Sequence, residues 1–165
     1  MIGKNSLANK SLKKKIDWLI EGVLKTILTW YIYMEAETNL TVLLKNMQPL
    51  LNDGEFVFCT VTGALFLDAS QIICSFKEKE GTTLILPKHV ADANKLPYTY
   101  VAAWITLTIH SSLEATGLTA AFSTALAKAG ISCNVVAAYY HDHIFVAAQD
   151  AEKAMDVLKE LAKGI

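Results

Sequence analysis

The sequence contains no arginine; all 15 basic side chains are lysines. Arginine supplies the planar fork that grips base edges and phosphates in pairs, so the usual means of reading nucleic acid is missing. The charge distribution agrees. Residues 1–33 hold Lys4, Lys10, Lys13, Lys14, Lys15 and Lys25 against Asp17 and Glu21, a net +4, which leaves −5 for the remaining chain. A body of that sign is a poor partner for a polyanion, and a nucleic-acid function is set aside. Cysteine is scarce too. Cys59, Cys74 and Cys133 are an odd, widely spaced set inside apolar runs, without CxxC spacing. They read as buried thiols in a reducing, cytoplasmic setting rather than as a disulfide framework or a redox pair. No apolar run of about 20 residues free of charges exists to cross a bilayer. The nearest, IDWLIEGVLKTILTWYIY, is interrupted by Asp17, Glu21 and Lys25, which also spoils it as a secretory signal. Catalytic signatures are missing as well: there is no GxSxG, no P-loop, no GxGxxG after a strand and no HExxH.

What is present is a chain of 165 residues, 53% hydrophobic, enough for one ordinary domain or two very small ones with a sizeable core. In the first 33 residues Ile16, Leu19, Ile20, Val23, Leu24, Ile27, Leu28 and Tyr31 recur at helical spacing, with the charges on the opposite side. Three readings of this amphipathic helix stay open: a partner or self-association helix, a helix lying on a membrane surface with Trp18 and Trp30 as anchors, or a segment foreign to the domain. From Asn39 the pattern becomes regular. NLTVLLKNMQPLLNDG puts Leu40, Leu43, Leu44, Met47 and Leu51 on one stripe and predicts a helix over 39–51, with Pro49 in its last turn. Strand-like runs follow at EFVFCTV, QIICSFKEKE and TTLILP, then a short helix, KHVADANK.

The second half opens with a strand, VAAWITLTIH, and the loop SSLEATG. The helix LTAAFSTALAKAG comes next, then the strands ISCNVVAAYY and HIFVAA, and last the helix DAEKAMDVLKELAKG. Strand, helix, strand, strand, helix is the order of a split βαβ sheet with both helices on one face. At an offset of 60 residues LILPKHVADA falls on IFVAAQDAEK, and IICSF falls on SCNVV, which predicts a duplication. The first copy lacks one long helix, and the helix over 39–51 is expected to cover the face this leaves bare.

Two stretches invite a chemical reading. In YYHDHIFV, His141 and His143 are two apart and would share a strand face, but a metal needs further ligands and a catalytic His–Asp pair needs an aligned nucleophile. A tight turn at His141-Asp142, closed by Tyr140 and His143, is the plainer expectation. The loop HSSLEATG joins a strand end to a helix start. There, backbone N–H groups and the positive end of the helix dipole are available to a carboxylate or phosphate. Ser111, Ser112 and Thr116 add hydroxyls and Glu114 could accept an ammonium group, so the loop suits an α-amino acid; the plainer alternative is a helix cap with a solvated glutamate.

The stretch GLTAAFSTALAKAGISCNVVAAYYHDHIFVAAQDAEKAMDVL resembles an ACT domain. Together with MQPLLNDGEFVFCTV, EGTTLILP and AWITLTIH it resembles the small bacterial proteins built of two ACT-like domains in tandem. The likeness covers residues 38–162. It implies an α+β, ferredoxin-like fold: antiparallel sheets with helices on one face, in two tandem copies, the first lacking one helix. The boundaries expected are 1–33 for the extension, 38–97 for the first domain and 98–165 for the second. It also implies a regulatory module without enzymatic activity or cofactor, a homo-oligomer binding an amino acid or other small molecule where domains meet. Carried over position by position, the ligand contacts implied are His110, Ser111, Ser112, Leu113, Glu114, Gly117 and Leu118, with Asn134 and Val136 on a neighbouring strand. The family's usual acidic residue or Asn followed by Pro before the loop glycine is here Ala115-Thr116, so backbone contacts at Gly117 and Leu118 are the firmer expectation. Two other functions compete: an interaction module that assembles through sheet edges without a ligand, and a metal-dependent enzyme using His141 and His143.

Overall fold

The computed structural model describes residues 20–24, 37–63 and 67–164, and the chain divides into two units, 1–36 and 37–165. In the first unit residues 20–24 are helical and exposed; the rest of the expected amphipathic helix lies outside the described residues. The second unit runs α1 (Leu40–Asn46), β1 (Pro49–Leu51), β2 (Phe56–Val61), a 3-10 turn (Ala69–Gln71), β3 (Cys74–Lys77), β4 (Thr82–Pro87), α2 (Lys88–Ala93) and β5 (Val101–Leu107). It continues with α3 (Leu118–Lys128), β6 (Cys133–Ala137), β7 (Asp142–Ala147), a second 3-10 turn (Ala148–Asp150) and α4 (Ala151–Lys163).

All strands pair antiparallel in one sheet of order β3-β4-β2-β5-β7-β6, and β1 also pairs with β5. β5 is therefore shared. Its start, Val101 and Ala102, lies opposite Val57 and Phe56 of β2, and its end, Ile105 to Leu107, lies opposite Leu51 to Pro49 of β1. The second half is a four-stranded unit, β1-β5-β7-β6, whose edge strand β1 comes from upstream in the chain. The first half is β5-β2-β4-β3. The 60-residue repeat is visible in the strand bounds, with β4 at 82–87 and β7 at 142–147.

Between Leu51, opposite Ile105, and Phe56, opposite Ala102, residues 52–55 on one strand face only 103–104 on the other. The two extra residues interrupt the ladder as a bulge does, and Gly54 lies among them with φ +98°. A bulge bends a strand and raises its twist. The sheet curls here, and the helix-free faces of the two halves pack on each other: Phe58 of β2 meets Phe145 of β7 edge-on at 5.4 Å. Asn52 secures the bend. Its backbone N–H donates to the Trp104 carbonyl at 2.9 Å, and its side-chain amide donates to the same carbonyl at 3.1 Å and to the Thr106 hydroxyl at 2.9 Å.

Strand alternation then sorts three cores. Ala103, Ile105 and Leu107 of β5, with Ile144 and Val146 of β7, face α1, α3 and α4. Val57, Cys59, Leu84 and Leu86 face α2. Phe56, Ile85, Ala102 and Phe145 fill the inside of the curl.

Three sequence expectations are corrected. The helix expected over 39–51 ends at Asn46, because Met47 turns extended at ψ 122° ahead of Pro49, which cannot donate to a helix and disfavours a helical residue before it. Residues 49–51 become β1 instead. α1 does not cover the bare face of the first half; Leu43, Leu44 and Met47 are buried against α3 and α4 of the second. In YYHDHIFV the reversal spans Ala138–His141, with Ala138 N–H donating to the His141 carbonyl at 3.1 Å, so Tyr139 and Tyr140 form its tip. Asp142, expected at the turn, is a strand residue opposite both Leu107 and Ala137. The missing helix of the first half is as expected: only the short link holding the 3-10 turn and residues 64–66, which lie outside the described residues, joins β2 to β3.

Candidate functional site

The segment from Thr108 to Gly117 leaves the end of β5 and enters α3. Two short steps, Ile109 N–H to the Leu107 carbonyl at 2.9 Å and Ser111 N–H to the Ile109 carbonyl at 3.1 Å, turn the chain off the strand. Glu37, just before α1, then pins it. Its N–H donates to the His110 carbonyl at 3.1 Å and its carbonyl accepts from Ser112 N–H at 3.0 Å. The Glu37 carboxylate meanwhile accepts from the N–H groups of Thr38 and Asn39 at 2.8 and 2.7 Å, and Asn39 caps α1 through Val42 N–H at 3.2 Å. The loop is thus tied to the same upstream segment that supplies α1 and β1.

Ser112 is spent inside the loop: its hydroxyl accepts from Glu114 N–H at 3.2 Å and its carbonyl from Ala115 N–H at 2.9 Å. Leu113 and Glu114 are exposed. The residue before α3 is Gly117, at φ +98°, and no side chain caps the helix. Glycine is favoured here by the backbone angle; a Cβ at Gly117 would stand 2.9 Å from Leu40 Cδ2, the end of a flexible side chain that would have to shift. Leu118 enters the core at 4% exposure and aligns the first turn. The outcome is a helix start whose leading N–H groups receive no cap from a side chain among the described residues.

The hairpin tip closes one side of the loop. The His110 ring lies 5.2 Å from Tyr140 and 6.2 Å from Tyr139, the two tyrosines meet at 4.9 Å, and His141 Nδ1 is 3.5 Å from the Ile109 carbonyl. At the base of this tip sits Asp142, 7% exposed, its backbone paired between Leu107 and Ala137. Burial raises its carboxyl above the usual range, and the neighbouring His141 partly offsets this.

Of the positions expected to contact a ligand, His110 to Glu114, Gly117 and Leu118 are contiguous along this loop. Asn134 and Val136 are not brought to it within one chain. They lie on β6, two strands from β5, and Val136 packs inside the curl. Sequence reasoning missed Asp142, Tyr139, Tyr140 and Glu37. For Asp142 a signal existed: it is two residues from Ile144 and four from Val146, so strand alternation places a carboxylate on the core face.

The two histidines part company. His143 lies inside the curl, where its Nδ1 accepts from Trp104 Nε1 at 3.1 Å and lies 3.2 Å from the Thr106 hydroxyl. Trp104 Nε1 can only donate, so this nitrogen carries no proton and His143 is neutral. Burial, then the charge of His141, lowers its pKa. Among the described residues no group of three or more His, Cys, Asp or Glu side chains could hold a metal. Among the same residues no helix is long and apolar enough to cross a membrane. The three cysteines are free; Cys59 is buried, Cys74 and Cys133 half-buried, and burial pushes the Cys59 and Cys133 thiols up.

A cleft of about 390 Å³ opens inside the curl where β3 and β6 approach without pairing. Phe58, Phe76, Ile85 and Val136 give it apolar walls, and its one carboxylate, Glu78, accepts from the Thr83 hydroxyl. It lies across the sheet from the α3 start and lacks the paired charges that a zwitterion needs.

Comparison with known proteins accords with this architecture. An ACT domain model matches residues 35–103 and a second ACT domain model matches 100–160, overlapping on the start of the shared strand β5. A protein of unknown function from Vibrio cholerae, described as a possible transport protein, is 50% identical, with 74% of this chain and 95% of that one covered and a TM-score of 0.67. A protein from Agrobacterium tumefaciens shares the fold at 16% identity, over 71% of this chain and 90% of that one, with a TM-score of 0.54. So does the aspartate kinase of Clostridium acetobutylicum, described as an allosteric enzyme, at 10% identity, over 79% of this chain and 37% of that one, with a TM-score of 0.54. No curated protein matches by sequence. Two adjoining domain matches, a repeat displaced by 60 residues and a single shared strand have one explanation: the chain belongs to the ACT domain family and carries two ACT domains in tandem.

Proposed function

We propose that this protein is a non-enzymatic regulatory module that binds a free amino acid where the 108–117 loop enters α3. The observation that carries the reading is the start of α3 itself. It is fixed by Gly117 against Leu40, tied through the loop to Glu37, and left without a side-chain cap. A carboxylate there would accept the leading N–H groups and meet the positive end of the helix dipole. The same ACT architecture occurs in an aspartate kinase described as allosteric, which is in keeping with a regulatory role. Asn134 and Val136 would join the site from the β6 edge of a second chain, making ligand binding and assembly one event.

A thermal-shift screen with the twenty amino acids at millimolar concentration tests this. At least one should raise the melting temperature, since a ligand of the native state stabilises by mass action, by about 2.7 kcal/mol at a hundredfold excess over Kd. A flat response to all twenty would sink the proposal. The ligand-free interaction module has one observation in its favour: β3 and β6 are both open edges, and Phe76 on β3 is 69% exposed. Sedimentation at several concentrations, without added ligand, would show self-association if that reading is correct.

A further inference from the structure

The cleft inside the curl has two walls that differ in kind. On one side the register sets inward side chains of three strands in rows. Cys74 of β3 lies opposite Ile85 of β4, and Ile85 opposite Phe58 of β2; one step along, Phe76 lies opposite Thr83. All of these line the cleft, as does Glu78 just beyond β3. The other wall is Val135, Val136 and Ala137, three successive residues of β6. Successive side chains of a strand point to opposite faces, and here Val135 packs towards the helices while Val136 packs inside the curl. A surface touched by all three is therefore the edge of β6 itself. Among the described residues β6 ends the sheet, so its outward N–H and C=O groups meet the cleft with no strand to pair with.

The polarity of the cleft is one-sided. Glu78 is held at its rim by the Thr83 hydroxyl, which donates to the carboxylate, and by its own N–H, which donates to the Gly81 carbonyl at 2.8 Å. None of the described residues lining the cleft is cationic, and the ion pairs among the described residues, Lys88–Asp92 and Lys163–Glu160, do not involve Glu78. A carboxylate, a hydroxyl and strand-edge carbonyls are all acceptors, and a primary ammonium carries three donors and no acceptor. The volume, about 390 Å³, is that of a small-molecule site with mainly apolar walls. We propose that this cleft binds a small primary amine with an aromatic or branched aliphatic body. The body is buried against Phe58, Ile85 and Val136, and the ammonium meets Glu78 and the β6 edge. A ligand carboxylate would face Glu78 and find no cation, so the cleft rejects amino acids and the proposal does not rest on the amino-acid reading above. The charge of −5 over residues 34–165 favours the approach of a cation. Glu78 is exposed, so its pull on the ammonium is screened by water and salt and the selectivity it confers is moderate.

The test compares the wild type, Glu78→Gln and Glu80→Gln, both exposed positions whose substitution leaves the cores untouched. The probes are phenethylamine and isopentylamine, set against the alcohols and carboxylic acids of the same carbon skeletons, by thermal shift and calorimetry. The wild type should bind the amines about fivefold more tightly than the alcohols, and the acids more weakly than either. Glu78→Gln should lose most of that preference, Glu80→Gln should keep it, and added salt should weaken it in the wild type. Bound amine should also slow alkylation of Cys74, which lines the cleft, and leave that of Cys133, which does not, unchanged. No response to either amine, or a response that leaves Cys74 alkylation unchanged, overturns the proposal. Equal binding of amines and alcohols, or an undiminished preference in Glu78→Gln, overturns the assignment of the cation to Glu78. Cys74 that becomes protected without amine as sedimentation shows dimer forming would mean that a second chain fills the cleft, and the proposal falls. A response to amino acids that leaves Cys74 unprotected belongs to the α3 start, so the two sites fail separately.

Discussion

The two halves of the sheet share a strand pattern displaced by 60 residues, yet they differ in what lies over them. Among the described residues α2, six residues long, is the helix over β2 and β4, and the core beneath is small: Val57, Cys59, Leu84, Leu86, Val90 and Ala91. Over β5 and β7 lie α3 and α4, of 11 and 13 residues, joined by α1 from upstream, and the core is more than twice as populous. The difference decides where chemistry is possible. A strand that hands over to a long helix presents a helix start, and among the described residues the second half has one. In the first half the corresponding link carries a single 3-10 turn among its described residues. Duplication repeated the sheet, and the loss of one helix left the two copies with different capacities. The shared strand β5 and the inner core of Phe56, Ile85, Ala102 and Phe145 keep them from being separate bodies.

The largest effect that could break this comparison comes from the second-half core. Phe122 on α3 is fully buried, and Phe122→Ala should cost about 3–5 kcal/mol in urea unfolding. Because β5 belongs to both halves, β4 amides should lose hydrogen-exchange protection together with those of β7. Retention of wild-type protection in β4 would mean that the halves unfold independently. A smaller effect separates two glycines that share φ +98°. Gly54→Ala meets open space and should show backbone strain alone, about 1 kcal/mol. Gly117→Ala also makes the flexible end of Leu40 shift, so its loss of stability should exceed that of Gly54→Ala by about 0.5–1 kcal/mol. Equal losses would show that α1 does not press on the start of α3.

The smallest effect concerns His143 inside the curl. Its folded-state pKa lies below the ordinary 6.5, so on acidification the unfolded chain takes up this proton first. The contribution is fully present above about pH 6.5 and is lost as the pH falls below it. Wild type should therefore lose more stability than His143→Gln between neutral pH and pH 5. Parallel curves for the two proteins would show that the Trp104–His143 contact does not exclude the proton.

Much of this architecture was legible in sequence because it rests on local periodicity. The stripe from Leu118 to Ala129, the 60-residue repeat and the helix from Ala151 each follow from spacing that any neighbouring surface would exploit. The failures share a different cause. Leu51 fits a helical stripe and also a strand, and the choice was made by a partner, Ile105, more than fifty residues away, together with the backbone limits of Pro49. α1 was read as covering the nearer half, whereas it packs on the farther one because β1 carries the chain across to the end of β5. The loop from His110 to Gly117 could be read as a candidate site from its glycine and hydroxyls. Asp142 could not be added to it while it was assigned to a turn, since moving the reversal by two residues turns a solvated aspartate into a buried one.

By itself the sequence determined the elements other than β1, their order, the duplication and the family, because each depends on residues close in the chain or on a pattern repeated along it. Only the tertiary structure decided which half receives α1 and β1, that β5 is shared, and that Asp142 is a strand residue between Leu107 and Ala137. Those outcomes depend on pairings between distant segments and on a bulge at Gly54 whose bend folds one face of the sheet onto itself, and such pairings are selected by the total surface they bury rather than by any local pattern.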